Sequence, residues 1–154
     1  MSEDDARGFR RPESVLVVIH TPDLQVLLLR RVSPPDFWQS VTGSLLWDEA
    51  PADGALREVH EETGLGCRAA DLVETGEVCD FEVRGPWRAR FAPDVRFNRE
   101  HRFYLLVPAP FDVRLSPGEH DAAEWLPVSD AAARAASWTN RDAITSLRRR
   151  HSLD

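Results

Sequence analysis

The stretch GSLLWDEAPADGALREVHEETGL, residues 43–65, places three glutamates within five positions: Glu58, Glu61 and Glu62. Glu58 and Glu62 are four residues apart, so on a helix they share one face, with Glu61 at its edge. Arg57 lies four residues before Glu61 and is expected to pair with it, which leaves the other two glutamates without a compensating charge. A solvated acidic face is the usual explanation of such a cluster taken alone. Hard divalent cations, however, prefer this set of oxygens, so the pattern also fits a metal site.

The rest of the pattern predicts a mixture of helices and strands. Pro51 suits a first helical residue and Gly64 the residue after the last, so a helix is expected over residues 51–62, with a poor cap at Ala50. Runs of apolar residues predict strands at residues 14–20, 25–31, 37–44, 72–83, 101–110 and 123–128. Two further helices are expected at residues 130–136 and 140–151. Because helices and strands do not alternate strictly, an α/β sandwich around a mixed β-sheet is favoured.

Length and composition indicate one globular domain. The chain has 154 residues, of which 42% are hydrophobic and 29% charged, as is typical of folded domains that bury a single core. We expect the domain to span residues 1–154, with residues 1–9 forming a flexible N-terminal tail.

The charge balance limits the partners of the protein. A net charge of −7 argues against general binding to nucleic acid or to a membrane surface, since both are anionic. No apolar run is long enough to span a membrane, and the N-terminus has no pattern of a signal peptide. Cys67 and Cys79 lack the spacing of a metal or redox motif. We therefore expect a cytoplasmic protein with a small-molecule partner, and the sequence leaves its oligomeric state open.

The spacing around the three glutamates matches a known motif. Gly43 is followed after five residues by Glu49 and after seven more by REVHEETGL, residues 57–65, which completes the Nudix box. Seven fixed identities and two apolar positions make this match specific. The segment resembles the catalytic loop–helix–loop of Nudix hydrolases, and the resemblance implies the α/β/α Nudix fold.

The resemblance also implies a reaction. Nudix hydrolases use Mg²⁺ or Mn²⁺ to cleave a nucleoside diphosphate that is linked to another group. By analogy, Glu58 and Glu62 bind the metal, and Glu61 acts as general base or as a further metal ligand. Arg57 orients Glu61. A metal suits this chemistry because phosphoryl transfer depends chiefly on positioning and on charge stabilisation.

A narrower resemblance covers residues 10–144. The segments outside the box that carry it are RPESVLVVIH, PPDFWQSVTGS, FEVRGPWRARFAPDVRFNRE and SWTNRDAI. They are similar to the bacterial dihydroneopterin triphosphate pyrophosphatases, a Nudix family of folate synthesis whose products are dihydroneopterin monophosphate and pyrophosphate. The resemblance implies Glu119 as a further metal ligand. It also implies a set of substrate-binding residues: Arg10, Arg31, Thr42, Phe81, Glu82, Val83, Arg84 and Ser137.

Each of these residues also has an ordinary structural explanation. Isolated arginines are usually surface residues, Ser137 could cap the last helix, and residues 81–84 alternate as a half-buried strand does. Two other functions also remain open. One is a house-cleaning pyrophosphohydrolase that acts on nucleoside triphosphates such as dATP or oxidised dGTP. The other is a non-catalytic ligand-binding module, which the four retained box glutamates disfavour. The apolar pair Leu46 and Trp47 in the box loop is expected to pack against the core of the protein.

Overall fold

The computed structural model describes Asp4 and residues 7–153, with side chains as far as residue 150. It contains seven strands and three helices beyond residue 7. The strands are β1 (Glu13–His20), β2 (Gln25–Arg31), β3 (Phe37–Gln39), β4 (Val41–Ser44), β5 (Leu72–Glu82), β6 (Phe97–Leu106) and β7 (His120–Pro127). The helices are α1 (Pro51–Thr63), α2 (Val128–Arg134) and α3 (Trp138–Leu153). Short 3₁₀ helices occupy Ala69–Asp71 and Gly85–Arg90.

The strands form one mixed sheet, as the sequence predicts. The main path is β3-β2-β1-β6-β5, and β4 and β7 pair with β1 and β2 respectively. Only the β1–β6 pair is parallel. β1 and β2 share a single register pair, His20 with Val26, and then diverge. β1 continues beside β4 and β6, whereas β2 continues beside β3 and β7. The divergence separates the two halves of the sheet.

Two hydrophobic clusters cover the faces of the sheet. On one face, Phe103 and Leu105 pack with Ala55 and Val59 of α1. On the other face, Leu16 packs with buried residues of α2 and α3. The side chains of each central strand alternate between these clusters, since successive residues of a strand point to opposite faces. The arrangement is the α/β/α sandwich that the sequence predicts.

Helix α1 has nearly the expected limits. It begins at Pro51 and ends at Thr63, one residue beyond the expected end, and no side chain caps its N-terminus at Ala50. Gly64 ends the helix with a φ of 78°, a left-handed conformation that glycine adopts without a steric penalty. The local signals of the box therefore predict the helix well.

Other boundaries differ from the expected ones. The expected strand at residues 37–44 is two strands separated at Ser40, because β3 pairs with β2 and β4 pairs with β1. The strand expected at residues 101–110 is β6, which begins earlier, at Phe97. Within these added residues, Asn98 and Glu100 are buried and line the cleft described below, whereas Phe97 and Arg99 are exposed. The flexible tail expected at residues 1–9 falls largely outside the described residues and stays a prediction. None of the described helices is long and apolar enough to cross a membrane.

Candidate active site

A large cleft opens between the two halves of the sheet. Its volume is about 1780 Å³, which exceeds the usual range for a small-molecule pocket of ~300–1,000 Å³. All the metal-binding and substrate-binding residues expected from the sequence line it: Arg10, Arg31, Thr42, Glu58, Glu62, Phe81, Glu82, Val83, Arg84, Glu119 and Ser137. The fold thus brings together residues from three strands, from α1 and from segments between the elements.

Arg57 links the carboxylates of the box. Its guanidinium binds Glu49 with two bonds of 2.8 Å, and Nη1 donates to Glu58 at 2.8 Å and to Glu61 at 3.2 Å. Nη2 also donates to the carbonyl of Ser44 at 3.1 Å. The expectation that Arg57 steadies Glu61 alone and leaves Glu58 uncompensated is wrong. The sequence spacing on one helix could not show that the box loop returns Glu49 to the same cation.

Glu58 lies against the backbone of the box glycine. A side-chain carbon at Gly43 would overlap its carboxylate, so only glycine leaves room for this acid. Glu58 is 8% exposed. Burial raises its pKa, while the nearby guanidinium of Arg57 opposes that rise.

Glu62 is the most deeply buried acid of the box, at 1% exposed. Neither of its carboxylate oxygens has a hydrogen-bond partner among the described residues. Burial raises its pKa well above the ordinary value, and the charges of Glu58 and Glu119 add to the rise. A buried carboxylate without donors is unstable unless a cation or a proton compensates it.

His120 completes the surroundings of Glu62. Its Nε2 lies 3.5 Å from Oε1 of Glu62 and 3.2 Å from the amide nitrogen of Gln39. Burial lowers the pKa of His120 to about 4, so the imidazole is neutral at neutral pH and adds no positive charge beside the acid.

The acidic end of the cleft suits a divalent cation. Glu62, Glu119 and His120 each offer a ligand atom, and these atoms lie within 4.8 Å of one another. The unpaired oxygens of Glu62 supply the hard ligands that Mg²⁺ and Mn²⁺ prefer, and a neutral imidazole can ligate the softer of the two. The donor set therefore fits a divalent metal.

Arginines face these acids across the cleft. Burial and the nearby charge of Arg90 lower the pKa of both Arg10 and Arg31, and Glu119 partly offsets this effect for each. The positive charges of three arginines therefore meet at one place, which favours the binding of a polyanion. Nη1 of Arg10 also lies 3.4 Å from the hydroxyl of Ser44.

The segment at residues 81–84 alternates as a half-buried strand should. Val83 is buried and Phe81 partly buried, whereas Glu82 and Arg84 are exposed and form an ion pair with each other. Ser137 caps α3, because its hydroxyl accepts hydrogen bonds from the backbone and the side chain of Asn140 at 3.2 and 2.9 Å. The ordinary structural explanations hold for these residues, and the same residues line the cleft.

The box loop is held by an arginine outside the box. Nη1 of Arg11 donates to the carbonyls of Leu46, Trp47 and Glu49 at 2.9, 3.1 and 2.8 Å. Trp47 is half-buried, and its indole N–H donates to the carbonyl of Phe9 at 3.0 Å. Leu46 is 59% exposed. The expectation that the pair packs inward is thus wrong for Leu46.

The chain belongs to the Nudix family, because a NUDIX domain model matches residues 10–147. Its relatives include the dihydroneopterin triphosphate diphosphatase of Escherichia coli (strain K12), which is 41% identical over 139 residues that cover 88% of this chain and 91% of the relative. The corresponding protein of Haemophilus influenzae is 37% identical, covering 88% of this chain and 87% of the relative. The structure of the E. coli dihydroneopterin triphosphate pyrophosphohydrolase matches with a TM-score of 0.82 at 40% identity, covering 90% of this chain and 95% of that chain. The chain is a Nudix hydrolase homologous to these enzymes.

Several residues of the cleft escape reasoning from the sequence. Arg90 and Glu100 lie in the segment of residues 81–100 that carries the narrower resemblance, and His120 follows Glu119. No role was expected for any of the three. For His120, the signal was its place next to Glu119. For Glu100, the signal was the alternation of side chains between the two faces of β6, because this alternation puts the carboxylate on a buried face of the strand.

Proposed function

We propose that this enzyme hydrolyses dihydroneopterin triphosphate to dihydroneopterin monophosphate and pyrophosphate, with Mg²⁺ or Mn²⁺ as cofactor. The observation that carries the proposal is the likeness to two bacterial dihydroneopterin triphosphate diphosphatases, which spans 88% of the chain. The cleft supports it, since it places carboxylates opposite arginines, as a polyphosphate substrate requires.

The proposal assigns the metal to Glu58, Glu62 and Glu119. When bound there, the cation would neutralise phosphate charge and help to activate the attacking water. Arg57 holds Glu58 in place by its 2.8 Å bond, and Gly43 leaves the space for that carboxylate. Glu61 is exposed and 3.2 Å from Arg57, and we assign it as the general base that accepts a proton from water.

The remaining residues bind the two ends of the substrate. The guanidinium groups of Arg10 and Arg31 donate hydrogen bonds to the phosphates and align the triphosphate with the carboxylates of the box. Thr42, residues 81–84 and Ser137 line the part of the cleft left for the pterin. Water adds to phosphorus as the bridge between the first two phosphates breaks, which releases pyrophosphate.

Product analysis tests this function. Wild-type enzyme with Mg²⁺ should convert dihydroneopterin triphosphate into equal amounts of dihydroneopterin monophosphate and pyrophosphate, and EDTA should stop the reaction. Release of orthophosphate instead of pyrophosphate, or turnover that EDTA leaves unchanged, would contradict the proposal.

Glu119→Gln provides a sharper test of the metal assignment. It should raise the Mg²⁺ concentration for half-maximal activity about tenfold, because the site loses one charged ligand while Glu58 and Glu62 remain. Glu124→Gln, at an exposed acid of β7 that does not line the cleft, is the matched control. An unchanged Mg²⁺ titration would remove Glu119 from the site.

A further inference from the structure

A third buried carboxylate lines the cleft, on the opposite face of the sheet from the box helix. Glu100 lies on β6 and is 4% exposed. Phe103 and Leu105 of the same strand face α1. Glu100 lies on the opposite face of the strand, together with Tyr104. The hydroxyl of Tyr104 donates to the carbonyl of Ala143 in α3 at 2.7 Å. Glu100 therefore belongs to the α3 side of the cleft, away from the acids of the box.

This carboxylate is only partly satisfied within the protein. The nearby side chain of Thr139 partly offsets the rise in its pKa that burial causes, but Oε1 has no hydrogen-bond partner among the described residues. Arg102 is a cation on the same face of the strand, and its guanidinium instead binds Glu77 and Asp142, each at 3.1 Å. A buried oxygen that accepts nothing is costly, and such sites are commonly completed by a ligand.

Several neighbouring polar groups are hydrogen-bonded to one another, although the hydroxyl of Ser40 has no partner among the described residues. The amide of Asn98 donates to the hydroxyl of Ser14 at 2.8 Å. Asn140 accepts from the backbone of Ser40 at 2.7 Å and donates to Ser137 at 2.9 Å. These bonds fix the walls of the pocket, whereas Glu100 lines the cleft with a buried acceptor, Oε1, that has no partner among the described residues.

An aromatic ring lies beside the same pocket. Phe81 of β5 pairs in register with Asn98 of β6, so the side chains of Phe81, Asn98 and Glu100 are on one face of the sheet. Phe81 is partly exposed in the cleft. A flat heterocycle can stack on this ring while its edge meets the carboxylate.

We infer that Glu100 determines which base the enzyme accepts, by taking hydrogen bonds from the ring N–H and the exocyclic amine of a 2-amino-4-oxopyrimidine ring. Pterin and guanine both carry this ring. An ionised carboxylate only accepts hydrogen bonds, so it suits an edge with two adjacent donors. Adenine presents an acceptor beside its amine, and that acceptor would face the carboxylate unpaired. The inference rests on the proposed function and adds a rule of base selectivity to it.

Selectivity of this kind can be large. A site built to hydrogen-bond a substrate rejects an analogue that leaves its buried polar groups unpaired far more strongly than a hydrophobic pocket rejects an extra methyl group. Glu100 therefore explains how a cleft with general phosphate-binding arginines can still distinguish among triphosphates.

The test compares wild type with Glu100→Gln on three triphosphates. In the variant, kcat/KM for dihydroneopterin triphosphate and for dGTP should fall at least about 100-fold, while kcat/KM for dATP should stay within about threefold. Glu74→Gln, at an exposed acid of β5 outside the cleft, should change none of them. An equal loss on all three substrates, or no loss on the first two, would overturn the inference, since either result assigns Glu100 no role in reading the base.

A binding measurement separates this inference from the proposed reaction. In EDTA, wild-type protein should bind dihydroneopterin monophosphate and guanosine monophosphate at least tenfold more tightly than adenosine monophosphate, and Glu100→Gln should abolish the preference. Pterin binding that exceeds guanine binding identifies pterin as the natural base, and the reverse order identifies guanine. If the preference is present but dihydroneopterin triphosphate is not hydrolysed, the proposed function fails while the role of Glu100 stands. If hydrolysis proceeds without the preference, the role of Glu100 fails alone.

Discussion

The two ends of the cleft differ in how the charge of their buried carboxylates is balanced. At the box end, Arg57 binds Glu49, Glu58 and Glu61, and the oxygens of Glu62 are left for a cation. At the α3 end, Glu100 has no ion pair among the described residues, and its Oε1 has no hydrogen-bond partner among them. The carboxylates at the box end suit a hard metal ion, and Glu100 suits the edge of an uncharged ring that carries hydrogen-bond donors. We therefore propose that glutamate side chains serve metal binding at the box end of the cleft and base recognition at the α3 end.

The largest effect is expected for Glu62→Gln. It should lower kcat by at least about 10³-fold, because the metal site loses a charged ligand. The fold should be as stable as wild type or more so, since burial already disfavours the ionised form of Glu62. Steady-state kinetics and thermal unfolding check the two parts, with Asp53→Asn, an exposed acid of the same helix, as control. Turnover within tenfold of wild type would contradict the assignment of Glu62 as a metal ligand.

Arg57→Lys tests the link among the box carboxylates. An ammonium cannot reproduce the forked contact with Glu49 while also reaching Glu58 and the carbonyl of Ser44. We expect kcat to fall about 100-fold and Tm to drop by several degrees, because buried acids lose their donors. Arg68→Lys, at an exposed arginine whose side chain is 83% exposed, should leave both unchanged. A variant with normal kcat would show that a point charge is sufficient at position 57.

Much of the box end could be predicted from the sequence. Its helix, the shared face of Glu58 and Glu62 and the end at Gly64 all follow from spacing within one short segment. The α3 end could not be predicted in this way, since Glu100, Phe81 and Thr139 meet only through strand register and the packing of α3. The bond between Arg57 and Glu49 also depends on how the box loop folds back, which spacing along a helix does not reveal.

The pH dependence of Tm tests whether Glu100 is unpaired in the folded protein. Burial raises the pKa of Glu100 to about 7, compared with 4.5 for an ordinary glutamate. The ionised group therefore destabilises the fold above pH 7 by roughly 3 kcal/mol, a cost that fades as pH falls toward 4.5. Glu100→Gln should raise Tm relative to wild type at pH 8 and match wild type near pH 4.5. Equal Tm values throughout would show that Glu100 is paired in the folded protein.

The smallest effect is expected at the start of α1. Ala50→Ser supplies the missing side-chain cap and should stabilise the protein by about 1 kcal/mol, or ~2–4 °C in Tm. Because Ala50 is exposed and carries no charge, kcat/KM should stay unchanged. Unfolding curves and a single kinetic assay check both statements. A lower Tm would mean that the first turn of the helix cannot accept a hydroxyl cap.

The central claim is that one cleft joins metal-dependent pyrophosphohydrolysis to recognition of a pterin. The most direct test measures kcat/KM for dihydroneopterin triphosphate, dGTP and dATP side by side with Mg²⁺, scoring pyrophosphate release and using Glu62→Gln as the blank. We expect dihydroneopterin triphosphate to be preferred at least tenfold over either nucleotide. Equal or faster turnover of dGTP or dATP would contradict this expectation and identify a nucleoside triphosphate pyrophosphohydrolase.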